Sequence, residues 1–403
     1  MGNSALKTTY DDIVVGAGIL GLAHAYQLAR RRRRVAVVEK DAAAVGASVR
    51  NFGLLWPIGQ PLGPLRRLAQ RSLITWLEVL RAAQIPFDPC GVLFLAHHDD
   101  EAQVLREYDR LAAEAGDPVE RLSVSQVRKL CPLAQSEGLQ AGLFSRRETR
   151  IEPVAALPGI ARWLNREFAV AFHNGRAATR VELPKLWAGD QTWTTRKIWI
   201  CCGADLGILY PDLLRAAGPQ VCKLQMLRTR PLGDKARLGP VLAGGSTLRH
   251  YPTFAACPTL ANLKSRFAAD LPELDRYGIH LLICQNSLGE LILGDSHEYA
   301  EPPDPEEKSL IEELILSTAK TMLGPPIPEI AARWSGVYVR FPDAPFFLLR
   351  PARDVTIVTG AGGAGMTLAF GLADHVVSSE LGEDGSCFWT PEEQNETDPL
   401  TLP

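Results

Sequence analysis

The chain has 403 residues, 46% of them hydrophobic, and a formal net charge of −3. That length suits two interleaved domains better than one simple core, and the near-neutral charge argues against nucleic acid as a partner. No apolar run approaches the roughly 18 residues a bilayer span needs. Met1–Asp12 is polar rather than leader-like, so a reducing cytoplasm is expected. Eight cysteines (Cys90, Cys131, Cys201, Cys202, Cys222, Cys257, Cys284 and Cys387) are scattered without metal-like spacing and suit reduced thiols. No metal site is expected.

Asp11–Lys40 reads as strand, turn, helix and strand. The apolar run Ile13–Val15 is followed by Gly16, Gly18 and Gly21 in G-x-G-x-x-G spacing, and Ile19–Ala29 is small and apolar without a breaker. The β-branched run Val35–Val38 then ends on Glu39. Each position has a use in dinucleotide binding: Gly16 for a tight turn, Gly18 for close approach to a pyrophosphate, Gly21 for helix–sheet contact. The helix N-terminus presents N–H groups and positive dipole to phosphates, while Glu39 accepts from ribose hydroxyls and disfavours a 2′-phosphate. A bare glycine fingerprint is weak in a chain with 34 glycines; the flanking strand, helix and acid make it specific. Arg30–Arg34 reads as a solvated helix end.

Gly46–Pro61 (GASVRNFGLLWPIGQP) follows, an irregular segment able to offer N–H groups and a hydroxyl to a second phosphate. The glycine turn, the acid-ended strand and the G-x-S-x-x-N-x-G of Gly46–Gly53 together resemble the flavin amine oxidases related to D-amino-acid, glycine and sarcosine oxidases. Within that superfamily, SVRNFGLLWPIGQP is similar to a clade associated with bacterial phosphonate breakdown. The resemblance implies an α/β fold, with a Rossmann-like FAD-binding domain interleaved with an antiparallel-sheet substrate domain. It places Gly16, Ala17, Gly18, Ile19, Leu20, Gly21, Glu39 and Lys40 on the nucleotide. Ser48, Arg50, Asn51, Gly53 and Leu54 would run along the pyrophosphate and isoalloxazine ring, with Trp56 and Gln60 within reach of substrate. Residues 1–88, 146–216 and 333–384 would form the FAD domain and 89–145 and 217–332 the substrate domain. The acidic stretch 385–403 reads as a disordered tail.

Helical spacing over Leu65–Ala83 and Asp99–Gly116 predicts two amphipathic helices, Asp99 serving as N-cap of the second. A strand lies between them at Gly91–Ala96, and Ser123–Gln126 is a capping box. Glu152-Pro153 opens a helix. By resemblance, the following AATRVEL strand places Ala178 at the adenine, and the strand Lys197–Gly203 brings Cys202 and Gly203 close to the nucleotide. Gln220–Arg230 and Gly278–Asp295 alternate as antiparallel strands, with Gly289-Glu290 in a hairpin turn; Glu306–Leu323 is a helix. Two short stretches concentrate polar chemistry: Arg249-His250-Tyr251 and Asp295-Ser296-His297-Glu298-Tyr299.

Related glycine oxidases carry an arginine two residues after the glycine of a W-x-G-x-R element, where it clamps the substrate carboxylate. Here Tyr338 occupies that slot and Arg340 follows, so the substrate-side candidates are His250, Tyr251, His297, Tyr338 and Arg340. A guanidinium suits a phosphonate at least as well as a carboxylate. Val355–Val358 then leads into Gly360, Gly362, Gly363 and Gly365 and a helix from about Met366 and Thr367. By resemblance this is a second flavin element, its helix N-terminus facing the ring. No cysteine lies between Cys284 and Cys387 to attach a flavin, so FAD is expected to be held noncovalently. The expected activity is FAD-dependent oxidation of a C–N bond in a small anionic amine, an aminophosphonate related to 2-aminoethylphosphonate, with molecular oxygen as acceptor. An oxidase of a secondary or D-amino acid is the alternative within enzymes. An NAD-dependent dehydrogenase would leave the Gly46–Gly53 loop and the second glycine turn unexplained, and a non-catalytic flavoprotein is the reading outside enzymes.

Overall fold

The computed structural model describes residues 9–233, 236–342 and 344–383. The expected tail at 385–403, with Cys387, lies outside them. Two large sheets organise the chain. The first is built on β1 (Thr9–Val15), which runs parallel to β2 (Val35–Val38) on one side and to Gln191–Ile200 on the other. Ala171–His173 extends it beyond β2, and Val355–Thr359 joins Gln191–Ile200, both parallel. Where these strands lie side by side in the middle of the sheet they are apolar and buried, as at Ile13–Val15, Val35–Val38 and Ile198–Ile200, because both faces are covered.

Helices α1 (Ile19–Ala29), Pro64–Ala82 and Gly365–Leu381 pack together on one face. Gly371 permits the last two to cross closely, since a Cβ there would sit 2.6 Å from the Leu68 carbonyl oxygen. Trp76 Nε1 donates to the Met366 carbonyl at 2.7 Å, fixing where the final helix begins. The arginine run after α1 is not simply solvated: Arg31 pairs with Asp374 and Glu383, and Arg33 pairs with the buried Asp12. The end of α1 is thereby tied both to the helix Gly365–Leu381 and to β1.

The second sheet runs Glu298–Tyr299, Gln220–Pro231, Glu290–Gly294, Leu282–Gln285, Val241–Ala243, Val92–Ala96, Ala141–Ser145 and Glu120–Leu122, with Ile330–Arg340 also on Gln220–Pro231. The expected domain division at 333 cuts through Ile330–Arg340. That strand is continuous in the second sheet, because its residues from Ile330 to Arg340 pair with Thr229 back to Gln220. Leu54–Leu55, Thr149–Ile151 and Phe87–Asp88 form a small third sheet between the layers.

Two local expectations shift. Asp99 is the first helical residue rather than the cap, which is His98 and makes no side-chain cap bond; Glu101 reaches back to accept from the His97 N–H at 2.8 Å. Glu290 begins a strand, and the turn before it is Asn286–Gly289. Arg249-His250 closes a short helix, Gly245–His250. The Ser123–Gln126 capping box and the Glu152-Pro153 helix start are as expected. Among the described residues no helix is long and apolar enough to cross a membrane.

Candidate functional site

The two glycine turns meet. A cavity of about 720 Å³ is lined by Gly16, Gly18, Ile19, Leu20, Glu39, Lys40, Ser48, Ala178, Cys202 and Gly203, and also by Gly360, Gly362 and Gly365. A second cavity, of about 350 Å³, is lined by Arg50, Asn51, Leu54, Trp56, Gln60, His250, Tyr251, His297, Tyr338, Arg340 and Gly362–Thr367. Ile19, Ser48, Tyr338, Gly362 and Gly365 border both, so the cavities adjoin.

The larger cavity is shaped for a dinucleotide. Gly16 turns at φ +100°, and a Cβ on it would lie 2.4 Å from the Cys201 carbonyl oxygen. A Cβ on Gly18 would meet only Ser48 Oγ, at 3.2 Å, so its backbone stands open to the cavity. Gly18 caps α1 without any side-chain cap, and the first turn carries no acid, so the dipole is left for an anionic group. Glu39 is held by the Ala17 N–H at 2.7 Å and the Asp41 N–H at 3.0 Å, with lone pairs remaining for ribose hydroxyls. The second helix also starts uncapped, after the turn Gly362–Ala364, at the junction of the cavities. These groups fit the phosphates, ribose and reducible ring of FAD.

Three expected cofactor residues line neither cavity. Gly21 serves the α1–β1 contact, since a Cβ would lie 1.9 Å from the Gly16 carbonyl oxygen; Gly53, at φ +72°, lies against the Ile151 carbonyl; Ala17 holds Glu39. Arg50 and Asn51 shape their loop. Arg50 donates to the carbonyls of Val45 and Ser335, and Asn51 bridges the Ala47 carbonyl and the Gly53 N–H. Lys40 is paired with Asp205 at 2.7 Å.

The walls of the smaller cavity come from both layers. Trp56 is fixed by its N–H on Thr367 Oγ1 at 2.8 Å and packs against Tyr251 and Phe94; its Nε1 has no partner among the described residues. Under Gln60, the buried Arg66 bonds Tyr108, Thr253, Asp117 and the carbonyls of Ile58 and Gln60, so the floor is rigid. Opposite, His250, His280 and His297 stack, with ring centroids 3.8–4.8 Å apart. Two backbone bonds between His280 and Asp295 hold those residues side by side, and the His297 N–H donates to the Tyr277 carbonyl. Burial pushes Asp295 up to about 8 and holds His280 well below its usual range, while burial lowers His297 to about 4. Both imidazoles are therefore neutral at pH 7.

Arg340 projects from the end of Ile330–Arg340, exposed on the cavity wall. Its guanidinium lies 4.4 Å over the Tyr299 ring, and its Nε donates to Gln220 at 2.9 Å. No carboxylate pairs with it among the described residues. Asp295, from one of the two polar stretches marked in the sequence, also lines the site, and His280 completes it without having been singled out. His280 sits inside a strand-like alternation with no motif around it, and only the sheet brings it to His250.

Beneath the first glycine turn, His24 is fully buried, its Nδ1 2.7 Å from the Leu20 carbonyl, and burial lowers it from 6.5 to about 4. Folded His24 stays neutral where the unfolded chain would protonate it. Its contribution is therefore fully present above pH 6.5 and is lost as pH falls from 6.5 towards 4. At about 1.4 kcal/mol per pKa unit, the loss is on the order of 3 kcal/mol. Urea midpoints between pH 7.5 and 4.5 are expected to fall less steeply in His24→Asn than in the unaltered protein, by about one proton's slope; parallel profiles would contradict this.

The profile of a family described as DAO, FAD dependent oxidoreductase, matches residues 11–379. Glycine oxidase from Geobacillus kaustophilus is 29% identical over 143 residues, covering 34% of this chain and 38% of that protein. The bifunctional tRNA 5-methylaminomethyl-2-thiouridine biosynthesis protein MnmC of Chromohalobacter salexigens is 29% identical over 191 residues, covering 42% of this chain and 26% of that one. These matches span less than half the length of those relatives. In structure the chain is similar to the G. kaustophilus glycine oxidase, with a TM-score of 0.73, 18% identity and coverage of 94% and 96%. L-proline dehydrogenase from P. horikoshii gives 0.73 at 18% identity, covering 97% and 99%.

Proposed function

Because the chain belongs to the FAD dependent oxidoreductase family, we propose that it oxidises a C–N bond in a small anionic amine, and that the amine is an aminophosphonate. The observation that carries this reading is Arg340: an exposed guanidinium on the smaller cavity, without a carboxylate partner among the described residues. FAD, when bound, supplies the group that accepts a hydride from the carbon bearing the nitrogen; molecular oxygen is the proposed final acceptor. Arg340 anchors the anionic end through paired charge-assisted hydrogen bonds. A guanidinium flanked by neutral imidazoles disfavours an ammonium, so the amine binds in its reactive neutral form. His297 Nδ1 lies 3.0 Å from the Gly278 carbonyl, which only accepts, so its proton sits there and Nε2 keeps its lone pair. Trp56 and Tyr251 exclude water beside it, and positioning of this kind supplies roughly 7–11 kcal/mol in favourable cases. The imine formed leaves the site and is hydrolysed to a carbonyl compound and an amine.

Similarity to glycine oxidase favours a second reading, in which the anion on Arg340 is a carboxylate. Anaerobic mixing of FAD-loaded protein with hydroxylated or N-methylated 2-aminoethylphosphonate, and separately with glycine, sarcosine and D-alanine, decides between them. Flavin bleaching by the phosphonates alone is expected. Bleaching by the amino acids alone overturns the phosphonate assignment.

A further inference from the structure

Three of the chain's eight histidines converge from separate elements on one wall of the smaller cavity. His250 ends the Gly245–His250 helix, His280 precedes the strand Leu282–Gln285, and His297 follows the strand Glu290–Gly294. The helix is pinned to the first of these strands by Thr247 Oγ1 on the Leu281 carbonyl at 2.7 Å and by the Leu281 N–H on Ser246 Oγ at 3.1 Å. One ring nitrogen from each histidine lies within 4.8 Å of those of the other two. Packing alone does not account for the polar atoms. His280 is 3% exposed, and its Nδ1 has no partner among the described residues.

The surroundings suit metal ligands. An imidazole that binds a metal commonly uses its other nitrogen on a carbonyl or a carboxylate, which fixes ring and tautomer. His297 has Nδ1 on the Gly278 carbonyl, and His280 Nε2 lies 3.2 Å from Asp295 Oδ1, close enough for a small turn of the ring to bond it, although Oδ1 has no hydrogen bond among the described residues. Tetrahedral bonding at about 2.0–2.1 Å places donor nitrogens roughly 3.4 Å apart. The triad therefore has to tighten on binding, and His250, exposed on the cavity wall, has room to turn.

We propose that His250, His280 and His297 form a three-imidazole site for a divalent first-row metal ion of the Zn²⁺ type. Imidazole donors without thiolate suit Zn²⁺, Ni²⁺ or Co²⁺ rather than Mg²⁺ or Ca²⁺. Three protein ligands leave one position open, here facing the cavity, and that position takes an oxygen of the substrate's anionic group. Only this last step rests on the anionic-amine reading; the metal site stands whichever amine is oxidised.

The test uses FAD-loaded protein stripped with a chelator and titrated with Co²⁺, whose ligand-field bands report coordination. One equivalent of Co²⁺ is expected to bind and to be displaced by Zn²⁺. His250→Ala should weaken binding more than the roughly 10–100-fold cost of losing a supporting ligand contact. Asp295→Asn should fall within that range, because it acts through His280. Flavin content and the melting transition show that each variant is folded. Methylphosphonate, which cannot be oxidised, should shift the Co²⁺ bands. Absence of stoichiometric Co²⁺ binding, or binding unchanged in His250→Ala, overturns the metal site. Co²⁺ bands indifferent to methylphosphonate overturn the anion ligation. Bleaching of the flavin by amines is a separate readout and moves neither result.

Discussion

Gly18→Val is expected to give a folded protein that purifies without FAD. Gly18 has φ −66° and ψ 175°, extended backbone that valine adopts readily, and a Cβ meets only Ser48 Oγ at 3.2 Å. The neighbouring glycines differ. Gly16 sits at φ +100° against the Cys201 carbonyl, and Gly21 lies against Gly16, so a side chain at either would disturb β1 and α1 themselves. At position 18 the valine methyl groups instead occupy the space over the α1 N-terminus where the pyrophosphate would lie. Loss of that approach should weaken FAD binding roughly 100-fold or more, about 3 kcal/mol. Ultrafiltration with flavin fluorescence reads the loss, and far-UV circular dichroism checks the fold. Stoichiometric FAD at unchanged affinity would contradict the placement of the phosphates.

The second large effect is on substrate. Arg340→Ala removes a guanidinium that makes one hydrogen bond to Gln220 and a ring contact with Tyr299. Arg340 is exposed, so folding is not expected to suffer. A charge-assisted contact of about 1.5–3 kcal/mol corresponds to a KM for an anionic amine raised roughly 10–100-fold. The contact is made equally before and during the chemical step, so kcat should change little. Arg340→Lys should recover part of the loss, because an ammonium keeps the charge but not the two-pronged geometry. Unchanged steady-state kinetics would remove Arg340 from the site.

What the sequence reveals and what it hides divide along physical lines. Elements whose chemistry is local were legible: the Gly16–Gly21 turn, the acid closing β2, the Ser123 capping box and the second glycine turn all announce themselves within a few residues. The buried parts of the parallel strands were legible too, because cover on both faces makes Ile13–Val15, Val35–Val38 and Ile198–Ile200 continuous apolar runs. Features that depend on register were not. His280 reaches His250 only through the pairing of Leu282–Gln285 with Val241–Ala243 and Glu290–Gly294. The strand Ile330–Arg340 was cut at 333 because nothing in its composition marks the sheet it joins; its pairing with Gln220–Pro231 decides that. The Arg66 network under Gln60 was hidden for the same reason, its partners lying up to 187 residues away in the chain. Gly53 is a glycine for a packing reason, which spacing alone does not separate from cofactor contact, whereas the helix–sheet role of Gly21 was legible.

A single FAD is expected to span both cavities, nucleotide on the first glycine turn and ring between the second turn and the histidine–arginine wall. A crystal structure of the FAD-loaded protein decides this. The pyrophosphate should lie over the α1 N-terminus and the isoalloxazine should be bordered by Gly362–Thr367 and Tyr338, with Arg340 and the three histidines across the remaining space. A flavin ring lying outside the 350 Å³ cavity, or a nucleotide that avoids Gly18 and Glu39, would contradict it.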